Sequence, residues 1–484
     1  MNQECFIGID QGSSSTKALV IGVSGEVLFR TKRELTRPFR EGLRVEQDPI
    51  EVLGSVREVL EDSMRHADSA GLTVLGAGLS CQRSSCLIWN VETGETLSPV
   101  ISWRDTRGTG LIDRMAGQKE RVFTATGLPL TPYYSASKFR WLRDSLPAAR
   151  KKTTVYGTLS SYLVQQLTNG ARPIIDHTNA ARTQLMDIRS LAWDPGLLDL
   201  FGLSEIHLPV IKPTAHDFGR IGTSSEDVPL LASIGDQQAA MLGLGVTNKG
   251  EGGINYGTGG FLMVNTGETL VPAPGLMASV HYSSNSGNHY LLEGSVNAVG
   301  DALEWLRVRI GLFREFDEVD DLCWKALTDV VAFIGINGTG APHWETGISS
   351  SIHGLTADST TADIVRAAVE NIAFFMRDIA DTVRAAGIQP SAFATAGGLS
   401  SLSYLVQVQA DLLGMGITVN EEKEVSARGA AFLAGIQHGT WTTRDIKKMA
   451  GTGEPAEGRT NPGVLHRYGR WKELHRMTRA IDAR

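Results

Sequence analysis

The chain has 484 residues, of which 42% are hydrophobic and 20% charged, and its formal net charge is −7 at pH 7. This length and composition are typical of a globular protein of two or three domains. The acidic balance gives no electrostatic footprint for a nucleic-acid backbone, so we expect small-molecule chemistry and no nucleic-acid partner.

The four cysteines form neither a CxxC motif nor a dense disulfide pattern. The N-terminus enters a strand-like run without the pattern of a signal peptide, and no apolar stretch reaches membrane-spanning length. We therefore expect a cytoplasmic protein with no membrane contact.

Strand-like runs alternate with helical stretches through the first half of the chain. FIGID, KALVIG and VLGAGLS are short apolar runs, whereas PIEVLGSVREVLEDSMRHA has the length and charge pattern of a helix. This alternation is the signature of α/β layers, so the predicted fold class is α/β.

The first turn of interest is DQGSSSTK, which joins two strand-like runs and is introduced by Asp10. A tight turn of small residues leaves backbone N–H groups free to bind phosphate oxygens, with Ser or Thr hydroxyls assisting. No Walker or GxGxxG pattern occurs here, and the turn leads into a strand rather than a helix. The alternative is a plain hairpin in which Asp10 bonds its own turn.

A second acidic position follows an apolar run, in SIGDQQAAMLGLG, where Asp236 and Gln237 precede a helix-like segment. Asp236 is either an N-cap residue or a catalytic carboxylate. Phosphoryl transfer to a hydroxyl needs a carboxylate that accepts the proton and an acidic group that helps to hold Mg²⁺, and Asp236 and Asp10 are the candidates.

A domain boundary is predicted in the glycine-rich segment GVTNKGEGG, which divides the chain into domains of residues 1–248 and 249–484. The second half then opens as the first did, with a strand, a Gly/Thr turn at 257–260 and another strand. We expect two domains of like architecture, whose turns grip a nucleotide from both sides of a cleft.

Two helices are predicted in the second half. In the segment 363–387, apolar residues recur at spacings of three and four, and Gly387 is expected to end the helix. In the C-terminal segment WKELHRMTRAIDAR, one face is predicted to carry Trp471, Leu474, Met477 and Ile481 and to pack on its domain.

Taken in order, these segments resemble the FGGY carbohydrate kinases. The likeness rests on nine segments along nearly the whole chain, namely FIGIDQGSSSTKALV, GLSCQRSSCLIWNVETGETLSPVISWRDTRG, TGLPLTPYYSASKFRWLRD, DHTNAARTQLMDI, SIGDQQAAMLGLG, NYGTGGFLMVNTG, LEGSVNAVGDALEWLR, APHWETGISSSIHGLT and GGLSSLSYLVQVQADLLG. The resemblance implies two actin-like, ribonuclease-H-like ATPase domains flanking a central cleft, with ATP and substrate bound between them. It implies that Asp236 is the general base and that Asp10 and Asp236 are the carboxylates associated with Mg²⁺.

The resemblance also implies the nucleotide site. The ATP-binding positions are Gln11, Gly12, Ser13, Ser14, Ser15, Lys17, Gly257, Thr258, Gly300, Leu303, Glu304, Gly397, Gly398 and Leu402. The first eight would contact phosphates, and the others would line the base and adenosine loop. Ala396 stands where the family has an acidic residue, and Leu402 where a polar residue is usual, which puts the base preference in question.

The implied substrate is a small polyol or sugar, as in the glycerol kinase branch of the family. The implied lining consists of Arg83, Ser84, Trp103, Tyr133, Asp236 and Gln237, and charged groups with an aromatic face suit a run of vicinal hydroxyls. Ser84 is a departure, because glycerol kinases carry glutamate directly after the arginine. The acceptor could therefore be glycerol or a related polyol or ketose.

Other functions on the same fold remain open from sequence alone. A xylulokinase-like ketose kinase usually shows QMHG and WNDxR where this chain reads QRSS and WRDTR. A sugar-sensing protein without turnover is a second alternative, and retention of Asp10 and Asp236 argues against it. An actin-like or chaperone-like ATPase is a third. The resemblance is compatible with a homodimer or a homotetramer.

Overall fold

The computed structural model describes residues 3–483 except 169, 171, 223–226, 452 and 454. The strands of the first half are β1 (Glu4–Gln11), β2 (Ser15–Gly22), β3 (Val27–Glu34), β4 (Phe39–Glu41), β5 (Arg44–Gln47), β6 (Thr73–Cys81), β7 (Cys86–Asn90), β8 (Val100–Ile101), β9 (Thr154–Thr158), β10 (Ile174–Asp176), β11 (Met186–Asp187), β12 (Ala192–Trp193), β13 (Val210–Lys212), β14 (Arg220–Gly222) and β15 (Asp227–Gly235).

The helices of the first half lie between these strands. They are α1 (Pro49–Ser69), α2 (Thr109–Arg114), α3 (Lys119–Thr126), α4 (Ser135–Ser145), α5 (Leu159–Thr168), α6 (His177–Ala181), α7 (Pro195–Leu200) and α8 (Asp236–Gly243), with 3₁₀ turns at Ala116–Gln118 and Pro147–Arg150. Asp48 caps α1 by accepting a hydrogen bond from the backbone N–H of Ile50, and Pro49 occupies the first helical position, where a missing N–H costs nothing.

The second half repeats the pattern. Its strands are β16 (Glu251–Tyr256), β17 (Gly260–Gly267), β18 (Met277–Ser284), β19 (Gly287–Val296), β20 (Val331–Phe333), β21 (Ser351–His353), β22 (Ala392–Ala396), β23 (Ile417–Val419) and β24 (Pro455–Ala456). Its helices are α9 (Gly300–Trp305), continued by a π-helical turn at Leu306–Ile310, α10 (Glu318–Lys325), α11 (Thr361–Ala385), α12 (Ser403–Leu413), α13 (Val425–His438), α14 (Thr443–Ala450) and α15 (Pro462–Asp482), with a 3₁₀ turn at Gly398–Ser401.

The main sheets of the two halves share one topology. The first has the order β3-β2-β1-β6-β15-β14 and the second β18-β19-β17-β16-β22-β23-β24. In each, the opening strand pairs antiparallel with the strand after its turn and parallel with a later strand on its other side. The sheets confirm both the α/β fold class and the predicted likeness of the halves. The smaller sheets have the orders β4-β5-β8-β7-β9, β10-β13, β11-β12 and β20-β21.

Each half has its own apolar core, and a third core forms where the halves meet. This third core joins side chains of β1, β2 and β15, such as Phe6 and Leu19, with Phe432 of α13 and with Trp441, which follows that helix. Helix α13, although it lies late in the chain, thus packs on the sheet of the first half. The boundary between residues 248 and 249 remains a prediction.

Glycines allow that close packing. A Cβ atom at Gly8 in β1 would lie 1.9 Å from the carbonyl oxygen of Ala427, and one at Gly78 in β6 would lie 2.1 Å from that of Ala430. Such distances are far below van der Waals contact, so only glycine permits α13 to cross the sheet here. The joint between the halves therefore lies against the middle of β1 and the adjoining part of β6.

The predicted helix of the second half is confirmed as α11, whose N-terminus carries a capping box between Thr360 and Asp363. Gly387 follows with φ +84°. The terminal helix is confirmed as α15, but its predicted apolar face is only half right. Trp471 and Leu474 are buried, whereas Met477 is 46% and Ile481 67% exposed.

Candidate functional site

The first turn closes between β1 and β2. The backbone N–H of Gly12 donates to the carbonyl oxygen of Ser15 at 3.0 Å. The Gln11 side chain is buried and accepts a hydrogen bond from Gln82 Nε2 at 3.0 Å, and Ser15 is also buried, so their side chains face inward. Ser14 is exposed. Gly12, Ser13 and Ser14 therefore form the accessible part of the turn.

Lys17, the basic residue of this motif, is paired rather than free. Its Nζ lies 2.6 Å from Glu424 Oε2, and each side chain is about a quarter exposed. Glu424 immediately precedes α13 in the second half of the chain. Lys17 thus links the two halves beside the first turn.

The second turn is tied to the start of α9. The N–H of Gly257 donates to the carbonyl of Gly259 at 2.9 Å, and the N–H of Gly300 donates to the carbonyl of Gly257 at 3.0 Å. A Cβ atom at Gly300 would lie 2.8 Å from that carbonyl oxygen, so the contact requires glycine. Gly257 and Thr258 are exposed. The fold therefore brings Gly300 against the turn, as expected if both serve one ligand.

The predicted adenosine loop follows β22. Gly397 has φ +105°, and a Cβ atom there would lie 2.3 Å from the carbonyl oxygen of Tyr256, at the start of the second turn. Gly397 and Gly398 are exposed, and Glu304, which pairs with Arg307 at 2.8 Å, is partly exposed. Leu303 and Leu402 instead belong to the apolar core of the second half. The exposed surface at the predicted base site therefore comes from the glycines and Glu304.

Asp10 lies at the end of β1, where β6 runs beside it in parallel. Ser80 Oγ donates to Asp10 Oδ1 at 2.7 Å. Burial, with a smaller contribution from the nearby charge of Asp236, raises the pKa of Asp10 to about 7 even though the Ser80 hydrogen bond opposes the rise. Asp10 and Asp236 therefore lie at the same edge of the sheet, after strands that both run parallel to β6, and near enough for their charges to interact.

Asp236 is the first residue of α8, directly after β15. Gly235 is the N-cap and makes no side-chain cap, so the reading of Asp236 as an N-cap residue is wrong. Asp236 Oδ1 accepts a hydrogen bond from the backbone N–H of Gln237 at 2.8 Å and lies 3.2 Å from Arg83 Nε. Its side chain is 28% exposed. Burial raises the pKa of Asp236, while the Arg83 guanidinium opposes that rise.

Arg83 is held by a buried glutamate that sequence reasoning did not single out. Its two terminal nitrogens donate to Glu293 Oε1 and Oε2, both at 2.9 Å, and Glu293 is 0% exposed. Glu293 also accepts a hydrogen bond from Arg182. The two guanidinium groups hold the pKa of Glu293 at about 2, well below its usual value. At neutral pH Glu293 is therefore an anion between two cations of the first half.

Both of these residues lay inside segments that carried the family resemblance. Glu293 belongs to LEGSVNAVGDALEWLR and Arg182 to DHTNAARTQLMDI. Glu293 lies on β19 of the second half, whereas Arg182 follows α6 of the first. A charged residue inside an apolar strand run was the available signal, because such a residue is buried only when it is paired.

Of the remaining predicted acceptor residues, Ser84, Trp103 and Tyr133 lie on loops, and Gln237 is the second residue of α8. Trp103 is 36% and Tyr133 48% exposed, and the backbone N–H of Trp103 donates to Ser85 Oγ at 3.0 Å. Gln237 Oε1 accepts a hydrogen bond from Asn255 Nδ2 at 3.2 Å. Ser84 is buried, with a φ of +64°. Arg83, Asp236 and Gln237 are thus assembled directly, and the two aromatic rings present accessible surface.

Within residues 3–483 and outside the gaps named above, no group of three or more His, Cys, Asp or Glu could hold a metal ion. In that same part, none of the helices is long and apolar enough to cross a bilayer.

Comparison with known proteins agrees with this geometry. The model of the FGGY family of carbohydrate kinases, N-terminal domain, matches residues 5–243, and that of the C-terminal domain matches residues 252–438. Glycerol kinase of Leifsonia xyli subsp. xyli is 33% identical over 458 residues, which cover 91% of this chain and 90% of that protein. Glycerol kinase of Streptococcus pyogenes serotype M6 is 30% identical over 497 residues, which cover 99% of each.

Solved structures give the same result. The crystal structure of Plasmodium falciparum glycerol kinase with ADP superposes with a TM-score of 0.93 at 28% identity, covering 99% of this chain and 98% of that one. A xylulose kinase from Rhodospirillum rubrum superposes with a TM-score of 0.89 at 21% identity over 99% of each chain, which shows the shared fold. The expected pair of actin-like domains is thereby confirmed. The chain belongs to the FGGY family of carbohydrate kinases, and it is an ATP-dependent kinase of sugars or polyols.

Proposed function

We propose that this kinase transfers the γ-phosphoryl group of ATP to a hydroxyl group of glycerol or a related small polyol or ketose, with Asp236 as the general base. The observation that carries the proposal is the placement of Asp236. Its carboxylate lies at the end of β15, 3.2 Å from Arg83 Nε, and is partly exposed. A base must reach the hydroxyl it deprotonates, and this carboxylate is both accessible and oriented.

Asp236 and the residues around it have different roles in binding and catalysis. Arg83 holds the Asp236 carboxylate and offers a charge to the acceptor, while Trp103 and Tyr133 supply faces for its C–H groups. Asp236 takes the proton from the acceptor hydroxyl as that oxygen attacks phosphorus. Burial raises the pKa of Asp236 above that of an ordinary aspartate, which makes it a stronger proton acceptor.

The nucleotide would lie across the two turns. Ser13 and Ser14 of the first turn and Gly257 and Thr258 of the second present donors to phosphate oxygens. The exposed glycines after β22 and Glu304 would face the adenosine. Because the turns belong to different halves, closure of the cleft would bring phosphate and acceptor together and exclude water.

Asp10 and Asp236 fit a site for Mg²⁺. Two carboxylates are too few to bind a metal alone, but Mg²⁺ typically uses one or two carboxylates together with water and substrate phosphates. Burial is the main cause of the raised pKa of Asp10, about 7, and the nearby charge of Asp236 contributes to it, so a cation beside the two carboxylates would favour the ionised form of Asp10. When bound, the ion neutralises charge on the transferring phosphoryl group.

The test is acceptor-dependent ADP release by the purified protein with Mg-ATP. The panel consists of glycerol, erythritol, ribitol, xylulose, ribulose, gluconate and sedoheptulose. Preference for glycerol supports the glycerol-kinase-like assignment, and preference for a ketose supports a xylulokinase-like one. ADP release that no member of the panel stimulates would contradict the proposal.

A further inference from the structure

Lys138, on α4, is a buried cation without a carboxylate partner. Its side chain is 0% exposed, and within the described residues no Asp or Glu forms an ion pair with it. The nearby carboxylate of Asp105 is already engaged by Arg107 at 2.7 Å. A buried lysine is rare, because taking an ammonium group out of water is costly unless all its donors are satisfied.

Three backbone carbonyl groups satisfy the ammonium. Lys138 Nζ donates to the carbonyl oxygens of Tyr133 at 2.7 Å, Ser102 at 2.8 Å and Ser84 at 3.3 Å. An ammonium group has three N–H donors, so its hydrogen-bonding capacity matches this set of acceptors. Lys138 thus links three separate segments of backbone by hydrogen bonds.

Each of these segments carries a residue of the proposed acceptor site. Ser84 directly follows Arg83, Ser102 directly precedes Trp103, and Tyr133 is itself a lining residue. Two neighbouring contacts reinforce the arrangement, because Ser135 Oγ donates to the Ser84 carbonyl at 3.3 Å and the N–H of Trp103 donates to Ser85 Oγ. One buried ammonium therefore links the backbone segments that carry Arg83, Trp103 and Tyr133.

The backbone conformation of Ser84 is unfavourable for a residue with a side chain, so it needs such a restraint. Its φ of +64° lies in the left-handed region that non-glycine residues avoid. Such a conformation persists only when its surroundings determine it. The two donors on the Ser84 carbonyl, from Lys138 and Ser135, hold the peptide group that follows Ser84 and so restrain the backbone next to Arg83.

We propose that Lys138 is a positioning residue for acceptor binding, which acts by holding the carbonyls of Ser84, Ser102 and Tyr133. This inference rests on the proposed function for the identity of the acceptor site. It differs from a structural role in one respect: loss of the ammonium changes acceptor binding without changing nucleotide binding, because none of the three segments belongs to the proposed nucleotide site.

The test compares Lys138→Met with a matched control. Methionine is close in volume but lacks the donors, so the three carbonyls lose their shared partner. Arg366, in α11, is also a buried cation that donates to backbone carbonyls, those of Thr328 and Val330, but it lies in the second half and has Glu370 as an ion-pair partner at 3.9 Å. Arg366→Met therefore also removes a buried cation that donates to backbone carbonyls, but at a place away from the acceptor site.

We expect Lys138→Met to raise the KM for glycerol at least about 10-fold while the KM for ATP changes by less than about twofold. Hydrogen–deuterium exchange should rise in peptides covering residues 83–86, 101–105 and 131–135 and in few others. Arg366→Met should lower Tm but leave the glycerol KM unchanged. Equal changes in both KM values, or unaltered exchange in the three peptides, would overturn the inference.

Two further outcomes are separable. If Lys138→Met does not fold, Ser135→Ala removes the second donor to the Ser84 carbonyl and is expected to raise the glycerol KM about two- to threefold; no change would overturn the inference. If the wild-type protein turns over neither glycerol nor any other acceptor of the panel, the proposed function fails. In that case hydrogen–deuterium exchange still shows whether Lys138 restrains the three backbone segments.

Discussion

Glu293, from the second half of the chain, accepts a bidentate hydrogen bond from Arg83 of the first half, with both distances 2.9 Å. The third nitrogen of that guanidinium, Nε, lies 3.2 Å from Asp236 Oδ1. A planar guanidinium held at two nitrogens has its third nitrogen fixed in direction. The second half thereby determines the direction in which Arg83 holds the proposed base.

Glu293→Gln tests this relationship. Glutamine keeps the shape but removes the charge shared by Arg83 and Arg182, and we expect kcat/KM to fall about 10- to 100-fold. The control is Glu422→Gln, which removes the partner of Arg30, another pair between the halves at 2.7 Å but with a half-exposed arginine. Steady-state kinetics should separate the two variants. Wild-type kinetics in Glu293→Gln would contradict the positioning role.

The same residue predicts a pH dependence of stability. The pKa of Glu293 is about 2 in the folded protein, against an ordinary value of 4.5. The folded state therefore binds fewer protons between these values, so the contribution of Glu293 to the free energy of unfolding is complete above about pH 4.5 and is lost as pH falls toward 2.

Thermal unfolding of wild type and Glu293→Gln across this range checks that sign. We expect the largest difference in Tm near pH 7, a smaller difference at about pH 4, and convergence at lower pH. A difference that grows as the solution is acidified would show that the glutamate is not held as an anion.

Ser84→Glu tests the choice of acceptor. A carboxylate beside Arg83 would accept hydrogen bonds from a small polyol and fill space that a larger acceptor needs. We expect the ratio of kcat/KM for glycerol to that for xylulose to rise at least about 10-fold. Ser84→Gly is the control, because glycine adopts the observed φ of +64° more readily and adds no carboxylate. An unchanged or lowered ratio would mean that the pocket is built around another acceptor.

Gly300→Ala tests the nucleotide side separately. The added methyl group would lie 2.8 Å from the carbonyl oxygen of Gly257 and would displace the second turn. We expect the KM for ATP to rise about five- to tenfold with little change in the acceptor KM. Gly54→Ala, in α1, meets no atom within 4 Å and should leave both values unchanged. A normal ATP KM in Gly300→Ala would remove the second turn from the proposed site.

The sequence allowed the fold class and the repeat of two halves to be predicted, because turns and strands are local patterns. FIGIDQGSSSTKALVIG reads as strand, turn and strand without any distant contact, and β1 and β2 follow that reading. Helix α11 was equally local. The role of Glu293, by contrast, depends on its hydrogen bonds with Arg83 and Arg182, which lie more than 100 positions earlier in the chain. No periodicity predicts that pairing.

The terminal helix shows a second limit. Its apolar pattern places Met477 and Ile481 on the predicted face, yet the structure buries His475 and Thr478 instead. His475 Nε2 bonds Glu345 Oε2 at 2.6 Å, and Thr478 Oγ1 bonds Ser351 Oγ at 2.7 Å. Polar partners on neighbouring segments thus help to determine which face of α15 is buried. Those partners cannot be identified from the sequence of the helix itself.

The most direct test of the central claim is single-turnover and steady-state kinetics of Asp236→Asn with Mg-ATP and the best acceptor of the panel. Asparagine preserves shape but accepts no proton, so we expect kcat to fall at least about 1,000-fold while the Kd for ATP stays within about threefold of wild type. A variant that keeps more than about a few per cent of wild-type turnover would contradict the assignment of Asp236 as the general base.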